Sequence, residues 1–359
     1  MSNPAHVRQQ DIALRAGVHI TTVSLALRND PRLPETTRTR IQALAKEMGY
    51  APDPMLSALT VYRNRMKRVH HQGTLAWVCP PIAKGERPTN TFTAYRQGAE
   101  ERCAELGYRL ESFHFSDLGG PRLSKVLQAR NITGLLLPPQ SHSHVHLDFD
   151  WGLFSSICFG FTLTEPRLHL ITNAQYSSTR IAVRALRDTY GYRRIGFVTA
   201  EESDERTDQN FSSGFLSEQR TFEPENRLAM LSLKGGAKDV EIAEFTRWYR
   251  EQKPDCIVFL HNTVPELLAH LRVDTQVCGQ ASLSLDTAKT TLSGIYQNDT
   301  IIGRKAVDFL IDMIHRNERG IPPHRFQFLI EGEWINGNTV HVQIPKKARK
   351  PAVPKASSR

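Results

Sequence analysis

The sequence lacks any long apolar run, and none approaches the ~18 consecutive apolar residues that a membrane span requires. Its first residues, MSNPAHVRQQD, contain no apolar signal core. These absences argue against a membrane protein and a secreted one, so we expect a cytoplasmic chain. The composition, 40% hydrophobic and 23% charged, is that of an ordinary globular protein, and 359 residues suffice for two or three domains.

Cysteine is scarce and scattered. The five cysteines are widely separated and form no CxxC pair, so neither a disulfide framework nor a zinc site is indicated. We expect them to be small buried residues. They are Cys79, Cys103, Cys158, Cys256 and Cys278.

Enzyme signatures are also missing, since the sequence holds no GxSxG, no P-loop and no GxGxxG. We therefore expect no enzyme and no cofactor. His142, His144 and His146 alternate, and on a strand they would point one way and could hold a metal ion. The surrounding SHSHVHLDFD is more typical of a polar loop, and no further clustered ligands accompany it, so no metal is predicted.

The positive charge is concentrated at the two ends of the chain. The net charge is +9, and a basic excess suggests a polyanionic partner. Residues 1–68 hold 11 Lys/Arg against 5 Asp/Glu, and residues 346–359 hold 6 Lys/Arg and no acid. Of the total of 46 bases and 37 acids, this leaves 29 bases and 32 acids for residues 69–345. A nucleic-acid site is therefore expected at the ends, and the segment 346–359 is predicted to be a disordered basic tail.

Three short apolar-periodic segments follow one another near the N-terminus. The spacing predicts helices over Gln9–Ala16, Ile20–Leu27 and Glu35–Met48, with Gly17 suited to a left-handed turn after the first. Two short helices joined by a tight turn and followed by a longer bracing helix make a helix-turn-helix unit.

The composition of the second helix favours contact with a partner. Thr21, Thr22 and Ser24 are poor helix formers, and their hydroxyls can reach phosphate oxygens or base edges. The alternative is a generic three-helix bundle whose basic face is merely solvated.

A longer pattern runs through this region, DIALRAGVHITTVSLALRNDPRLPETTRTRIQALAKEMGYAPDP. It resembles the DNA-binding headpiece of the LacI/GalR family of bacterial transcription regulators, whose pattern is D-x-A-x-x-A-G-V-S-x-x-T-V-S-x-x-L-N, then E-T-R and L-G-Y-x-P-N. Two places depart from it, because His19 stands where Ser usually caps the recognition helix and Arg28 precedes Asn29. The matching residues are Asp11, Ala13, Ala16, Gly17, Val18, Thr22, Val23, Ser24, Leu27, Thr37, Arg38, Gly49, Tyr50 and Pro52.

The resemblance implies which residues read DNA. The positions that the family uses in the major groove fall on Ile20, Thr21 and Leu25. Ile20 and Leu25 would contact thymine methyl groups, or, alternatively, both pack inside the headpiece. The full set that the resemblance implies in this helix and its ends is His19, Ile20, Thr21, Thr22, Ser24, Leu25 and Asn29.

The segment Asp53–Tyr62 is apolar on nearly every face of a helix. An isolated surface helix would not expose so many apolar residues. In the resembled family this is a hinge helix that forms on specific DNA, pairs with its dimer mate and inserts a leucine into the minor groove. That wedge falls on Leu59, with Leu56 and Arg63 as further DNA contacts. The basic run that follows, residues 63–68, is a phosphate tether or simply a solvated linker.

The body predicts an α/β fold, because strands and helices alternate in two series and so indicate two parallel-sheet lobes. This resembles the family's periplasmic-binding-protein-like sensor. The expected domains are a headpiece (1–50), a hinge and linker (51–68), a two-lobed effector-binding and dimerisation domain (69–345) and a tail (346–359). Lobe 1 is assigned to about 72–165 and 294–323, and lobe 2 to about 166–293 and 324–345.

Ligands in such sheets bind at the carboxyl ends of the strands, here between the lobes. Several departures remove much of the family's polar clamp for a sugar. Phe211 stands in the place of an Arg, Thr263 follows Asn262 in the place of an Asp, and a strand end is assigned to Gly279–Ala281. Ordinary loop capping or core packing is the alternative for each remaining candidate. The candidate effector residues are Asn173, Phe211, Asn262 and Asp286.

The sequence thus predicts a homodimeric transcription regulator, with a repressor favoured, that binds a near-palindromic double-stranded DNA operator under the control of a small-molecule, sugar-like effector. A solute-binding receptor of the periplasmic type and a sugar-processing enzyme with a regulatory DNA-binding domain are the competing interpretations.

Overall fold

The structure is a computed structural model that describes residues 7–27, 29–30, 32–50, 72–79, 90–140 and 142–343. The predicted hinge with Leu56, Leu59 and Arg63, and the tail at 346–359, lie outside the described residues. The chain divides into two compact units, Met1–Thr172 with Asp299–Phe328 and Asn173–Asn298 with Leu329–Arg359.

The N-terminal part of the first unit is a three-helix headpiece, with α1 (Gln9–Ala16), α2 (Ile20–Leu27) and α3 (Glu35–Glu47). The first two predicted helices are confirmed to the residue, and the third ends one residue early. Gly17 has φ 67° and its N–H bonds back to the Ala13 carbonyl, which ends α1 in the left-handed conformation that glycine tolerates best. The headpiece core consists of Ile12, Ala13, Ala16, Val23, Ala26, Ile41 and Ala45.

The first unit also contains a six-stranded sheet in the order β13-β7-β5-β3-β1-β2. Its strands are β1 (Gly73–Cys79), β2 (Tyr108–His114), β3 (Gly134–Leu137), β5 (Ser155–Phe159), β7 (His169–Asn173) and β13 (Gln327–Ile330). A separate pair is formed by β4 (Val145–His146) and β6 (Leu163–Glu165). The helices are α4 (Asn90–Glu105), α5 (Phe115–Leu118), α6 (Gly120–Ala129) and α12 (Asp299–Arg316).

Two glycines let α4 and α12 pack backbone against backbone. A Cβ on Gly303 would lie 1.9 Å from the Tyr95 carbonyl oxygen, and one on Gly98 would lie 2.0 Å from the Thr300 carbonyl oxygen. No side chain fits at such distances, so both positions require glycine. This crossing attaches residues near the C-terminal end of the chain to the first sheet.

The second unit contains a sheet in the order β14-β12-β11-β10-β8-β9, in which only β14 runs antiparallel to its neighbour. Its strands are β8 (Ile195–Ala200), β9 (Leu231–Leu233), β10 (Cys256–Phe259), β11 (Gly279–Leu285), β12 (Ser293–Tyr296) and β14 (Glu333–Ile335). The helices are α7 (Gln175–Arg184), continued as a π-helix over Ala185–Thr189, α8 (Glu201–Arg206), α9 (Asn210–Gln219), α10 (Lys238–Gln252) and α11 (Val264–His270).

The alternation of strands and helices predicted the α/β class correctly, but it assigned three strands to the wrong sheet. The sequence analysis placed β7 and β13 in lobe 2, but both lie in the first sheet. His169 of β7 pairs with Ile157 of β5. On the other side of β7, the Leu170 N–H donates to the Phe326 carbonyl over 3.0 Å. β12 was placed mostly in lobe 1 and lies in the second sheet. An apolar strand pattern shows that a segment is buried and does not show which sheet it joins.

All five cysteines are free and buried, as predicted. No helix within the described ranges combines the length and the apolar character needed to cross a bilayer.

One buried histidine makes the stability of the first unit depend on pH. His169 is 4% exposed, and burial lowers its pKa, against a smaller opposing effect of Glu318. Its Nδ1 accepts the Phe326 N–H over 3.0 Å, which requires an unprotonated nitrogen. Because the folded state holds a proton less readily than the unfolded state, this contribution to stability is complete above the unfolded pKa of about 6.5 and is lost as the pH falls below it.

We therefore expect the first unit to melt at a lower temperature at about pH 5.5 than at about pH 7.5, and His169→Asn to reduce that difference. The asparagine Oδ1 can accept the same N–H but does not titrate. Calorimetric melting of both proteins at the two pH values measures the effect. The same pH dependence in both would contradict the role of His169.

Candidate nucleic-acid interface and effector site

His19 begins α2 with an unusual cap. The ring Nδ1 lies 2.6 Å from the Thr21 Oγ1, and the Thr21 N–H points to the same nitrogen over 3.4 Å. The His19 carbonyl accepts the Thr22 N–H over 2.9 Å. An imidazole therefore occupies the place where a serine hydroxyl would satisfy the free N–H groups at a helix start.

The exposed face of α2 carries the predicted DNA-reading residues. Val23 and Ala26 are buried and hold the helix to the headpiece core. Ile20 is 40% exposed, and Leu25 is half-buried outside that core. The alternative that both residues pack inside is therefore wrong for Ile20. Leu25 is half-buried, but it is not among the residues that pack against the headpiece core. Of the polar residues, His19 and Thr21 are exposed, and Thr22 and Ser24 are half-buried.

Asn29 follows α2 in the left-handed conformation, with φ 53°. Its N–H donates to the Ala26 carbonyl over 3.0 Å, and the Gln42 side chain of α3 donates to the same carbonyl over 2.8 Å. Asparagine is favoured in this conformation, so the position of Asn29 has a backbone reason. Its side chain is exposed.

Two features of the headpiece surface were not predicted from the sequence. Arg32 donates to Asp30 over 2.8 Å, and this bond lowers the pKa of Asp30 to about 2. Leu14 on α1 is 82% exposed, although its helix is amphipathic. The exposure of Leu14 could have been predicted from its position directly after the buried Ala13, because neighbouring residues of a helix point in different directions.

The second unit brings two of the predicted effector residues to one edge of its sheet. β10 and β11 are parallel neighbours in which Phe259 pairs with Ser282. Asn262 follows β10 and Asp286 follows β11 directly, and both side chains are exposed. The two therefore lie at the carboxyl ends of adjacent strands, the edge where ligands bind in parallel sheets.

The other two candidates are buried. Phe211 is 2% exposed and belongs to the core of the second unit, so core packing accounts for it. Asn173 is 8% exposed, and its Oδ1 accepts the Gln175 side-chain N–H over 2.9 Å. The strand end assigned to Gly279–Ala281 is wrong, because Gly279 begins β11 and the strand ends at Leu285.

The carboxyl edge of the second sheet also holds residues that the sequence analysis missed. The acidic helix α8 begins directly after β8 with Glu201, and its run EESDE was the available signal. His261 follows β10, and its Nδ1 lies 2.7 Å from the Thr263 Oγ1. Its Nε2 lies 3.9 Å from the Glu241 Oε1. This edge therefore presents mainly hydrogen-bond acceptors.

The three alternating histidines do not share a strand. Only Val145 and His146 form β4, and His144 has φ 58°. The His146 Nδ1 lies 3.3 Å from the Glu165 Oε2. Across the described part of the chain, no three His, Cys, Asp or Glu side chains are grouped so that they could hold a metal ion.

Comparison with protein families and with curated proteins finds relatives of part of this chain. Residues 9–53 match the family model described as bacterial regulatory proteins, lacI family. The HTH-type transcriptional regulator DegA of Bacillus subtilis (strain 168) is 30% identical over 137 residues. That match covers 37% of this chain and 36% of DegA, so the chain spans about a third of this relative's length.

Solved structures match over nearly the whole chain. The transcriptional regulator CelR–cellobiose complex has a TM-score of 0.55 at 15% identity, over 93% of this chain and 100% of that chain. The lac repressor dimer bound to operator and the anti-inducer ONPF has a TM-score of 0.53 at 13% identity, over 94% of this chain and 99% of that chain. At these identities the likeness shows the fold, a helical headpiece joined to parallel-sheet α/β units.

Proposed function

We propose that this chain, whose headpiece belongs to the lacI family of bacterial regulatory proteins, is a transcription regulator that binds operator DNA through α2. The observation that carries the proposal is that α2 has one face buried in the headpiece core and another face exposed. Val23 and Ala26 fill the headpiece core, while Ile20 stays exposed although it is apolar, and Thr21 stays exposed beside the His19 ring that caps the helix. Such a face suits the major groove, which admits an α-helix.

The chemistry of this face favours mixed contacts. The hydroxyls of Thr21, Thr22 and Ser24 donate to phosphate or base acceptors. Ile20 and Leu25 offer apolar surface that fits the methyl group of thymine. The imidazole of His19 at the start of the helix lies where a phosphate is favoured by the helix dipole. We therefore expect an operator half-site that contains thymines.

The proposed assembly is a homodimer on a near-palindromic operator, because two-fold symmetry in the protein matches two-fold symmetry in the site. Support comes from the lac repressor dimer bound to operator, to which this fold is similar. The partner is DNA, so the proposed place of action is the cytoplasm. A repressor is the favoured form of regulation.

We further propose that a small-molecule effector, bound at the carboxyl ends of the strands of the second sheet, controls operator affinity by shifting a two-state equilibrium. Asn262 and Asp286, with Glu201 beside them at the carboxyl edge of the second sheet, accept hydrogen bonds from hydroxyl or ammonium groups. CelR, similar in fold, was solved with cellobiose. An effector rich in hydrogen-bond donors, such as a sugar, fits these groups.

Binding rather than catalysis is the proposed activity of the α/β units. A sugar-processing enzyme would turn over the compound that stabilises the protein. A thermal-shift screen of sugars and amines, followed by chemical analysis of each compound that raises the melting temperature, separates the two. Recovery of that compound unchanged is the expected result, and its conversion would favour the enzyme.

Selection of bound sequences from a random DNA library by the full chain tests DNA recognition directly. We expect one near-palindromic sequence to be enriched. Enrichment of no sequence, with binding that depends only on salt, would overturn sequence-specific recognition.

Ile20→Ala is expected to weaken binding to the selected operator about tenfold, since a lost base contact costs about 1–3 kcal/mol. Leu25→Ala is expected to act in the same direction. Leu14→Ala is the matched control, because Leu14 is an exposed apolar residue on α1 rather than α2. Titration of labelled operator and of random DNA gives the two affinities. Equal losses in Ile20→Ala and Leu14→Ala would remove Ile20 from the interface.

Leu59→Ala is expected to weaken operator binding more than about tenfold and to leave non-specific binding unchanged. The reason is that a wedge residue acts only where the DNA is kinked. Unstacking the bases costs a few kcal/mol, which the additional contacts to the bent DNA offset. Val61→Ala, in the same apolar segment, is the control. An equal loss on operator and random DNA would exclude Leu59 from the wedge.

A further inference from the structure

The first unit contains a cavity of about 770 Å³ that lies away from the carboxyl ends of its strands. The lining comes largely from Trp151, Arg167 and Arg325 with their neighbours, which precede the amino ends of β5, β7 and β13. These three strands are neighbours in the sheet. Asn173, the effector candidate in β7, lies at the other end of that strand. The cavity is therefore separate from the predicted effector site, and its volume is typical of a small-molecule site.

The inner wall of the cavity is apolar and aromatic. Leu147, Phe149 and Trp151 are between 5% and 9% exposed, and the rings of Phe149 and Trp151 lie 4.9 Å apart between centroids. Pro322 and Pro323 contribute from the segment that leads into β13. Rigid rings and prolines form a wall against which a flat or branched apolar group packs at little cost in side-chain entropy.

Two arginines bring positive charge to this wall without a carboxylate partner. The Nε–H of Arg325 is buried without a hydrogen-bond acceptor among the described residues, although the same guanidinium also interacts with the buried Cys158 thiol. Arg167 is exposed, and neither arginine forms an ion pair with any carboxylate in the described ranges. A buried donor on a charged group that makes no hydrogen bond is costly, and a guanidinium fork matches a carboxylate. The arrangement favours an anionic group from outside the chain.

The carboxylates in the lining limit the charge of that group. Glu165 already faces His146, whose Nδ1 lies 3.3 Å away, and Asp148 is a second acid in the lining. Two arginines and two carboxylates give a lining close to neutral. A singly charged anion gains from Arg325 and Arg167, whereas a polyanion such as phosphate would also meet Asp148 and Glu165.

We propose that this cavity binds a small organic monocarboxylate with an apolar body. The carboxylate pairs with Arg325, assisted by Arg167, and the apolar body packs on Phe149 and Trp151. The site goes beyond the proposed function, because it gives the chain a ligand distinct from the effector at the carboxyl ends of the strands.

Calorimetric titration of the full chain with 2-naphthoate tests the site, with 2-naphthamide as the neutral isostere and inorganic phosphate as the polyanion. We expect saturable binding of 2-naphthoate, at least tenfold weaker binding of the amide, and no binding of phosphate. Arg325→Gln should weaken 2-naphthoate about tenfold, and Arg325→Lys less, because lysine keeps the charge but not the fork. Arg247→Gln, on α10 in the second unit, is the matched control and should change nothing.

Several results would overturn the proposal. These are equal affinity for 2-naphthoate and 2-naphthamide, unchanged binding in Arg325→Gln, phosphate bound as well as the carboxylate, and the absence of saturable binding to the unmodified protein. Arg167→Gln covers the case in which Arg325→Gln fails to fold, because Arg167 is exposed and its loss disturbs no core contact. Its expected effect is a several-fold loss of affinity for 2-naphthoate, and no loss would count against the site.

Discussion

Ile41→Ala is expected to weaken operator binding about tenfold to a hundredfold while leaving the α/β units folded. Ile41 lies on α3, is fully buried, and packs in the same core as Val23 and Ala26, the residues that hold α2 in place. Removing a buried isoleucine to its Cβ costs about 2–5 kcal/mol. A headpiece of this size has a total stability of only about 2–7 kcal/mol, so much of the population loses the surface that presents Ile20 and Thr21.

The measurement is operator affinity together with the melting transitions of the whole chain. Apparent affinity falls by the fraction of headpiece that remains folded, so a loss of about tenfold to a hundredfold is expected. Ile41→Val is the control, because it removes one methylene and costs about 1 kcal/mol. Unchanged operator affinity in Ile41→Ala would show that the headpiece does not carry the recognition surface.

Gly303→Ala is expected to destabilise the first unit strongly. The added Cβ would lie 1.9 Å from the Tyr95 carbonyl oxygen, with further backbone atoms of α4 within 3 Å. Backbone cannot yield as a flexible side chain does, so α4 and α12 must separate. Overpacking of this kind costs about 3 kcal/mol or more, and the helices that separate carry Tyr95 and Ala99 out of the core.

Gly152→Ala is the matched control. A Cβ added to Gly152 would lie 3.8 Å from its nearest neighbour, the Asp150 Oδ1, which is an ordinary contact distance. The φ angle of Gly152 is not in the left-handed region. Urea unfolding of the two variants, followed by circular dichroism, should show a large decrease in midpoint for Gly303→Ala and a change within about 1 kcal/mol for Gly152→Ala. Equal midpoints for the two variants would mean that α4 and α12 tolerate a wider spacing than the structure shows.

The headpiece could be predicted from the sequence almost residue by residue. Each of its helices is short, amphipathic and bounded by a residue that explains its end, such as Gly17 after α1. Local signals of this kind act within a few residues, and a sequence displays them directly. The exposure of Ile20 was harder to predict, because an isoleucine at the start of a helix reads equally as core.

The effector site could be predicted only in part, because it depends on which strands are neighbours. Asn262 and Asp286 were recognised as strand-end residues, and the pairing of β10 with β11 brings them to one edge. Phe211 was assigned by alignment to a family pattern, yet its side chain turns into the core. The direction of one helical side chain is set by tertiary packing, which no local spacing reveals.

The pairing of β7 with β13 has a consequence for synthesis on the ribosome. The hydrogen bond from the Leu170 N–H to the Phe326 carbonyl joins residues that are far apart in the sequence. The first sheet, which begins with Gly73, therefore gains its outermost strand only after translation has passed Ile330, and β14 completes the second sheet shortly afterwards. Until then the edges of β7 and β12 are open to other chains. A premature stop before Gln327 would release a nascent protein with both edges unprotected, a candidate for aggregation and proteolysis.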